Sequence, residues 1–453
     1  MKTSRRIFLK GGALSLVSVG LVPGLGPSFL TDTVFADEPQ RRRSGTGGRK
    51  ILICIFQRGA VDGLSMVVPH GDPNYYRHRV LGGNGIALPR MGEGSILDLD
   101  GKFGLHPGLA PLLPIYKAGH MAPIQAVGSP AATRSHFEAQ DYMEGGVPGR
   151  MMADGWLSRT ILNCPQDAAR EAEIFRGVAL TGQVPRSLRG EADAIAIPDL
   201  KKFGVGSVAA VPTGGGARRR MAADAANATN NANQAAAAGF EAVYDQAVGD
   251  VLGGTGRESF EAIKMVQSLT AAPYVPTRGA NYPRSAFGES LQQIAQLVKA
   301  DVGVEVAFAE SNGWDTHVGQ GSTQGNLARR LTELGAGLAA LYTDLGDRMA
   351  DVVILTMSEF GRTVRQNGTG GTDHGHATCF LALGGNVNGG KVLGDWPGLA
   401  VEQLYEQRDL AVTTDFRDVF GEVAKRHMRV DALESVFPGR PEAQMKFRNL
   451  MRA

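Results

Sequence analysis

The stretch KILICIFQRGAVDGL, residues 50–64, is apolar at every position from Ile51 to Phe56 and then breaks at Arg58 and Gly59. A strand with one wet face alternates apolar and polar side chains. An unbroken run of β-branched and aromatic residues instead suits a central strand covered on both faces of a parallel sheet. VGVEVAFAES (302–311) and DVVILTMSEF (351–360) repeat the pattern, and a long helical periodicity over 325–349 separates them. HPGLAPLLPIYKAGHMAPIQAVG (106–128) reads as a helix over 109–117, a stop at Gly119 and a strand over 122–127. Residues 239–300 read as helical, with SLQQIAQLVKA the clearest amphipathic face. Strands alternating with helices predict an α/β fold with a parallel sheet.

The chain has 453 residues, 43% apolar and 20% charged, enough for one large α/β domain or two smaller ones. Lys2, Arg5, Arg6 and Lys10 against Asp32 give residues 1–36 a charge of +3, which leaves −1 of the total +2 for the rest. That balance favours neither nucleic acid nor an anionic membrane as a partner. The two RRR runs, at 41–43 and 218–220, read as solvated linker. Of the three cysteines, Cys54 and Cys379 sit in apolar runs as small core residues, and no disulfide is expected.

SRRIFLKGG (4–12) resembles a twin-arginine export signal. A modest apolar segment follows over 13–22, and Val34 and Ala36 offer small residues for cleavage after Ala36. The apolar run is shorter than the ~18 residues of a membrane span and is interrupted by Gly20, Pro23, Gly24 and Gly26. The expected product is periplasmic or extracellular, with the twin-arginine machinery as a partner and no transmembrane segment after cleavage. Because this route carries folded proteins, it suits a metal inserted before export. A polar linker (37–49) then leads into a single domain (50–450), with an Ala/Asn/Gly-rich low-complexity insertion near 205–238.

Polar chemistry begins where each strand ends. Asp62 follows the first strand, SPAATRSHFEAQD the 122–127 strand, NGWDTH the 302–311 strand and SEFGR the 351–357 strand, while GTDHGH precedes a further apolar run. In an open parallel sheet ligands bind at the carboxyl ends of strands, so these loops should converge. Pooled, they offer Asp62, Asp315, Glu359 and Asp373 as carboxylates, His136, His317, His374 and His376 as imidazoles, and Ser129, Thr133 and Ser135 as hydroxyls. Mixed oxygen and imidazole donors suit a divalent metal: zinc, manganese or iron, or calcium or magnesium if carboxylates dominate. His374 and His376 compete for the ion, with His376 preferred. Arg58, Arg134 and Arg362 are placed to hold an anion, since a guanidinium matches a tetrahedral oxyanion. Ser135 heads the helical stretch SHFEAQDYM and is both a candidate nucleophile and a helix cap completed by Glu138. His106 reads as a turn residue or one that supports a ligand from behind, Asp141 as facing solvent or making a structural bond before facing the site, and Trp314 as packing or a pocket wall.

The run LHPGLAPLLPIYKAGHMAPIQAVGSPAATRSHFEAQDYMEGG, with RGAVDGLSMVVP, GWDTH, SEFGRT and GTDHGH, resembles the exported domain-of-unknown-function family 1501 over roughly residues 50–450. That family is related to the alkaline phosphatase and sulfatase superfamily. The resemblance implies an alkaline-phosphatase-like sheet with helices on both faces, and a metal site on Asp62, Asp315, His317, Glu359 and His376. It also implies a nucleophile at Ser135 or Thr133 and an anionic ester as substrate. Two departures stand out. Phe360 occupies the place of a ligand histidine in the phosphatases, and the motif from which sulfatases make formylglycine is not intact in SPAATRSHF. The implied activity is metal-dependent hydrolysis of phosphate or sulfate esters with a hydroxyl nucleophile. The alternative is an exported, metal-stabilised binding or assembly protein without turnover.

Overall fold

A computed structural model of the chain describes residues 48–165, 175–203 and 262–452. The export signal, nearly all of the 37–49 linker and the 205–238 insertion lie outside the described residues. Lys50–Phe203 and Lys264–Ala453 form one compact unit.

The described residues of the unit hold eleven strands: β1 (Ile51–Arg58), β2 (Val67–Val68), β3 (Leu97–Asp98), β4 (Gly104–Leu105), β5 (Met121–Gly128), β6 (Gly177–Ala179), β7 (Ala194–Ala196), β8 (Val306–Asn312), β9 (Val352–Met357), β10 (Thr378–Gly384) and β11 (Thr414–Asp415). Eight of them make the main sheet, in the order β11-β5-β10-β9-β1-β8-β6-β7, while β2, β4 and β3 form a small antiparallel sheet. One-turn helices aside, the helices used below are α1 (His136–Gly145), α2 (Trp156–Asn163), α3 (Ala286–Lys299), α4 (Asn326–Leu345) and α5 (Phe416–Glu422).

The 50–57 run is central, as its composition predicts. β1 pairs in parallel with β8 on one side and β9 on the other. Leu52, Cys54 and Phe56 pack with Trp156 and Leu157 of α2 and Phe416 and Phe420 of α5. The alternate residues Ile51, Ile53 and Ile55 are equally buried, so both faces are covered. The fold is therefore α/β with a mostly parallel sheet. β10 is the exception, running antiparallel to both β5 and β9. A parallel neighbour needs a crossover, usually a helix, whereas the chain between β9 and β10 (358–377) turns back at the same sheet edge.

Element boundaries shift for local reasons. The predicted helix over 109–117 opens as a 3-10 helix, Pro107–Leu112, because Pro107 and Pro111 lack amide donors; only Leu113–Lys117 is α-helical. β8 starts later than expected because Asp301 (φ 51°) and Gly303 (φ 98°) form a turn. The antiparallel setting of β10 has a consequence for function: its start joins the carboxyl ends of β1, β5, β8 and β9 along one edge.

Candidate metal centre

The loop after β8 turns at Gly313 (φ 90°) and is pinned by fully buried Trp314, whose Nε1 donates to the Ser311 carbonyl (3.0 Å) and whose amide donates to the Arg58 carbonyl (3.3 Å). With Trp314 held inward, Asp315 and His317 keep 47% and 39% of their side chains exposed. α1 contributes His136 as its first residue. The loops flanking 361–377 pair with each other: Gly361 N donates to the His376 carbonyl (2.9 Å) and Gly375 N to the Gly361 carbonyl (2.8 Å). Gly375 is required there, since a Cβ would stand 2.4 Å from the Arg362 carbonyl carbon. Buried Arg362 ties the loops together, donating to the carbonyls of Ala60 (2.8 Å), Thr372 (3.0 Å), Gly59 (2.6 Å) and Trp314 (3.2 Å) and to the Asp315 carboxylate.

Four donor atoms meet above this frame. His374 Nε2 lies 3.0 Å from His136 Nε2, 2.9 Å from His317 Nε2 and 3.3 Å from Asp315 Oδ1. Asp315 Oδ1 is 3.1 Å from His317 Nε2 and 3.7 Å from His136 Nε2. The donor atoms of His136, Asp315 and His374 all lie within 4.8 Å of one another, and His317 closes on them from the His374 side.

The other ring nitrogens decide the tautomers. His136 Nδ1 faces the Glu359 carboxylate (2.8 Å), His317 Nδ1 faces Asp373 Oδ1 (3.1 Å) and His374 Nδ1 faces the Arg134 carbonyl (2.9 Å). Each partner can only accept, so each Nδ1 carries a hydrogen and each neutral ring turns an Nε2 lone pair toward the others. Lone pairs this close repel unless a positive charge lies between them. The set therefore fits a divalent ion, with the carboxylate–histidine and carbonyl–histidine pairs that orient metal-bound imidazoles.

The two carboxylates of the site are held ionised. Burial pushes Glu359 up, but hydrogen bonds from His136, Gln140 (2.9 Å) and the Gly59 amide (2.9 Å) outweigh it and hold the carboxyl below its usual range. Asp315 is likewise low despite partial desolvation, because Arg362 donates to it. The Glu359 hydrogen bond raises His136, whereas burial lowers His374.

Several expected site residues stand elsewhere. Asp62 is completely buried in a bidentate pair with Arg79 (Nη1 to Oδ2, 2.7 Å; Nη2 to Oδ1, 2.9 Å) and also accepts from Ser65 Oγ (2.7 Å) and Gln320 Nε2 (2.6 Å). Its oxygens are already used. His376 turns away from the cluster: its Nε2 donates to the Ser129 carbonyl (3.0 Å) and its ring lies 4.4 Å from that of Tyr405. The structure thus brings His374 to the cluster instead of His376. Glu359 and Asp373 reach it only through His136 and His317.

The three arginines expected to hold an anion are committed. Arg58 pairs with Glu144 and Glu310 (2.7 Å each), Arg134 with Glu406 (2.5 Å) and Asp409 (2.7 Å), and Arg362 with the carbonyls above. Ser135 Oγ caps α1 by accepting from the Glu138 amide (3.5 Å), and Thr133 Oγ1 donates to the Glu138 carboxylate (2.7 Å). Neither hydroxyl has a hydrogen bond to the imidazole cluster among the described residues. Phe360 stacks on His136 (ring centroids 4.9 Å apart) and lies 5.1 Å from His374, so it walls the site where a further histidine is implied.

His136 stands among the strand-end imidazoles but outside the ligand set that the resemblance implies; its signal in the sequence is its place beside Ser135 at a helix start. Gln140 has none, since its role depends on loops brought together by the sheet, and no local pattern marks the pairing of Arg79 with Asp62.

No curated protein matches the sequence. Among solved structures, the crystal structure of the PsFucS1 sulfatase from Pseudoalteromonas sp. is distantly similar: 12% identity, 90% of this chain and 74% of that chain covered, and a TM-score of 0.35. Residues 120–437 match the family described as "Protein of unknown function (DUF1501)", and the chain belongs to that family.

Proposed function

We propose that the protein is an exported, metal-dependent hydrolase of phosphate or sulfate esters, with His136, Asp315, His374 and His317 holding a divalent ion. The observation that carries the metal is the convergence of Nε2 lone pairs on Asp315 Oδ1. The exposure of Asp315 and His317 supports turnover over a purely structural role, because a structural ion is usually enclosed by its ligands. An ion held there would polarise an ester oxygen and make water a better nucleophile at neutral pH.

The chain's own residues supply orientation. Glu359 fixes His136 and sharpens its basicity, Asp373 does the same for His317, and the Arg134 carbonyl fixes His374. Arg362 keeps Asp315 ionised and holds the loops at one spacing. Phe360 excludes water from one side of the two imidazoles. Ser135 and Thr133 are assigned to the start of α1 and not to the chemistry. Export rests on Arg5 and Arg6, and the ester class is the one that the sequence resemblance implies.

The test is metal analysis of protein folded in the cytoplasm, with a screen of phosphate and sulfate esters. His374→Ala should lose the bound ion and all ester turnover, whereas His376→Ala should keep the ion. Wild type that holds one ion but turns over no ester would favour the metal-stabilised binding protein; wild type without an ion would overturn both readings.

A further inference from the structure

Beside Asp315 the surface opens into a cleft lined by Gly313, Asp315, Val318, Arg329 and Arg330 among others. It touches the metal cluster only at Asp315; none of the three histidines lines it. The two arginines lie in the first turn and a half of α4. Arg330 is held against the loop that carries Asp315: a Cβ on Gly313 would stand 3.0 Å from its Nε and 3.5 Å from its Cζ. Two residues of chain reach at most ~7 Å, so this guanidinium is within about 10 Å of the Asp315 backbone.

The charges of this pair are little used. Arg330 pairs with Glu333 (2.9 Å) at 45% side-chain exposure, the kind of surface pair that contributes ~0–1 kcal/mol and yields readily to a better anion. Arg329 donates to the Asn326 amide oxygen and, among the described residues, meets no carboxylate. The contrast with Arg58 and Arg362 is direct, because every nitrogen of those guanidiniums donates to a carboxylate, amide oxygen or carbonyl, and Arg134 holds two carboxylates through Nη2. Val318, 65% exposed, stands at the rim of the same cleft, whose surface is almost wholly polar, as suits a charged group.

We infer that Arg329 and Arg330 form a second anion subsite, so that the preferred substrate carries a fixed sulfate, phosphate or carboxylate next to the ester that is cleaved. The separation from the histidines makes this a site for a non-reacting group, and the two forks can each grip a planar or tetrahedral oxyanion through paired N–H donors. Asp315 lies between the two anion positions; its charge is offset by Arg362 on its inner side. The identity of the scissile group rests on the hydrolase proposal, but the anion subsite does not.

The test uses the metal-loaded protein and two probes that cannot be hydrolysed, benzenesulfonate and benzene-1,3-disulfonate, with binding followed by calorimetry. Wild type should bind the disulfonate at least about tenfold more tightly. Arg329→Gln with Arg330→Gln should erase that preference while leaving metal content and the thermal midpoint unchanged. The single variant Arg330→Lys, which keeps the charge but loses the fork, should retain part of it. A preference that survives the double variant, or none in wild type, overturns the subsite. Ester turnover is scored separately: an arginine-dependent preference without any turnover keeps the subsite and removes the hydrolase reading, and turnover with an arginine-independent preference does the reverse.

Discussion

Arg79 shows how much a single side chain decides in this protein. It neutralises Asp62 in a site with no exposure, and its remaining donors reach the carbonyls of Val364 (2.9 Å) and Thr363 (3.2 Å). Removing one partner of a buried pair strands the other charge, at a cost of about 3–5 kcal/mol. Arg79→Met should lower the unfolding free energy by that order in urea titrations at neutral pH. A loss below about 1 kcal/mol would mean that Asp62 finds another cation, and a metal would then be the first candidate. Glu359→Gln is a milder change of the same type. It keeps a hydrogen-bond acceptor for His136 but removes the charge that raises the imidazole's basicity, so metal affinity should fall roughly 10–100-fold. Metal titration of the apoprotein measures it, and an unchanged affinity would place His136 outside the ligand set.

At the scale of elements, α1 joins stability to the site because its first residue is a proposed ligand and its cap is Ser135. The cap contact is long and exposed, so Ser135→Ala should cost about 1 kcal/mol or less. Metal content and any ester turnover should persist, because the helix is also held by packing: Ala139 is buried with Ala60 and Phe360. Loss of turnover with full metal content would instead return the hydroxyl to the chemistry. The loop after β1 shows the same dual use. Gly59 adopts φ 114°, and a Cβ there would meet the Asp315 amide at 2.7 Å, so the loop can pass close enough for its amide to donate to Glu359 only because the residue is glycine.

For the whole molecule, the export expectation depends on two residues far from the sheet. Arg5→Lys with Arg6→Lys should leave the precursor inside the cell, as fractionation and immunoblotting would show; unchanged export would remove the twin-arginine route. How much of the rest was legible follows from the range of the interactions involved. Continuous apolar runs identify covered strands because burying both faces of a strand leaves no room for polar side chains, and Ile51–Phe56 carries that signal within six residues. GWDTH and GTDHGH could be read as site loops for a similar reason, since side chains that follow a buried strand emerge at its edge. What local sequence does not encode is which of several polar neighbours face one another. His374 and His376 differ by two positions in one loop, yet one joins His136 and His317 while the other bonds Ser129. Asp62 resembles a ligand until Arg79, from a separate segment, closes on it. The choice between the histidines was made by the antiparallel return of β10 and the closing of loops around Arg362, because partners hundreds of residues apart meet only when the sheet sets their spacing, whereas Arg79 reaches Asp62 from only 17 residues away.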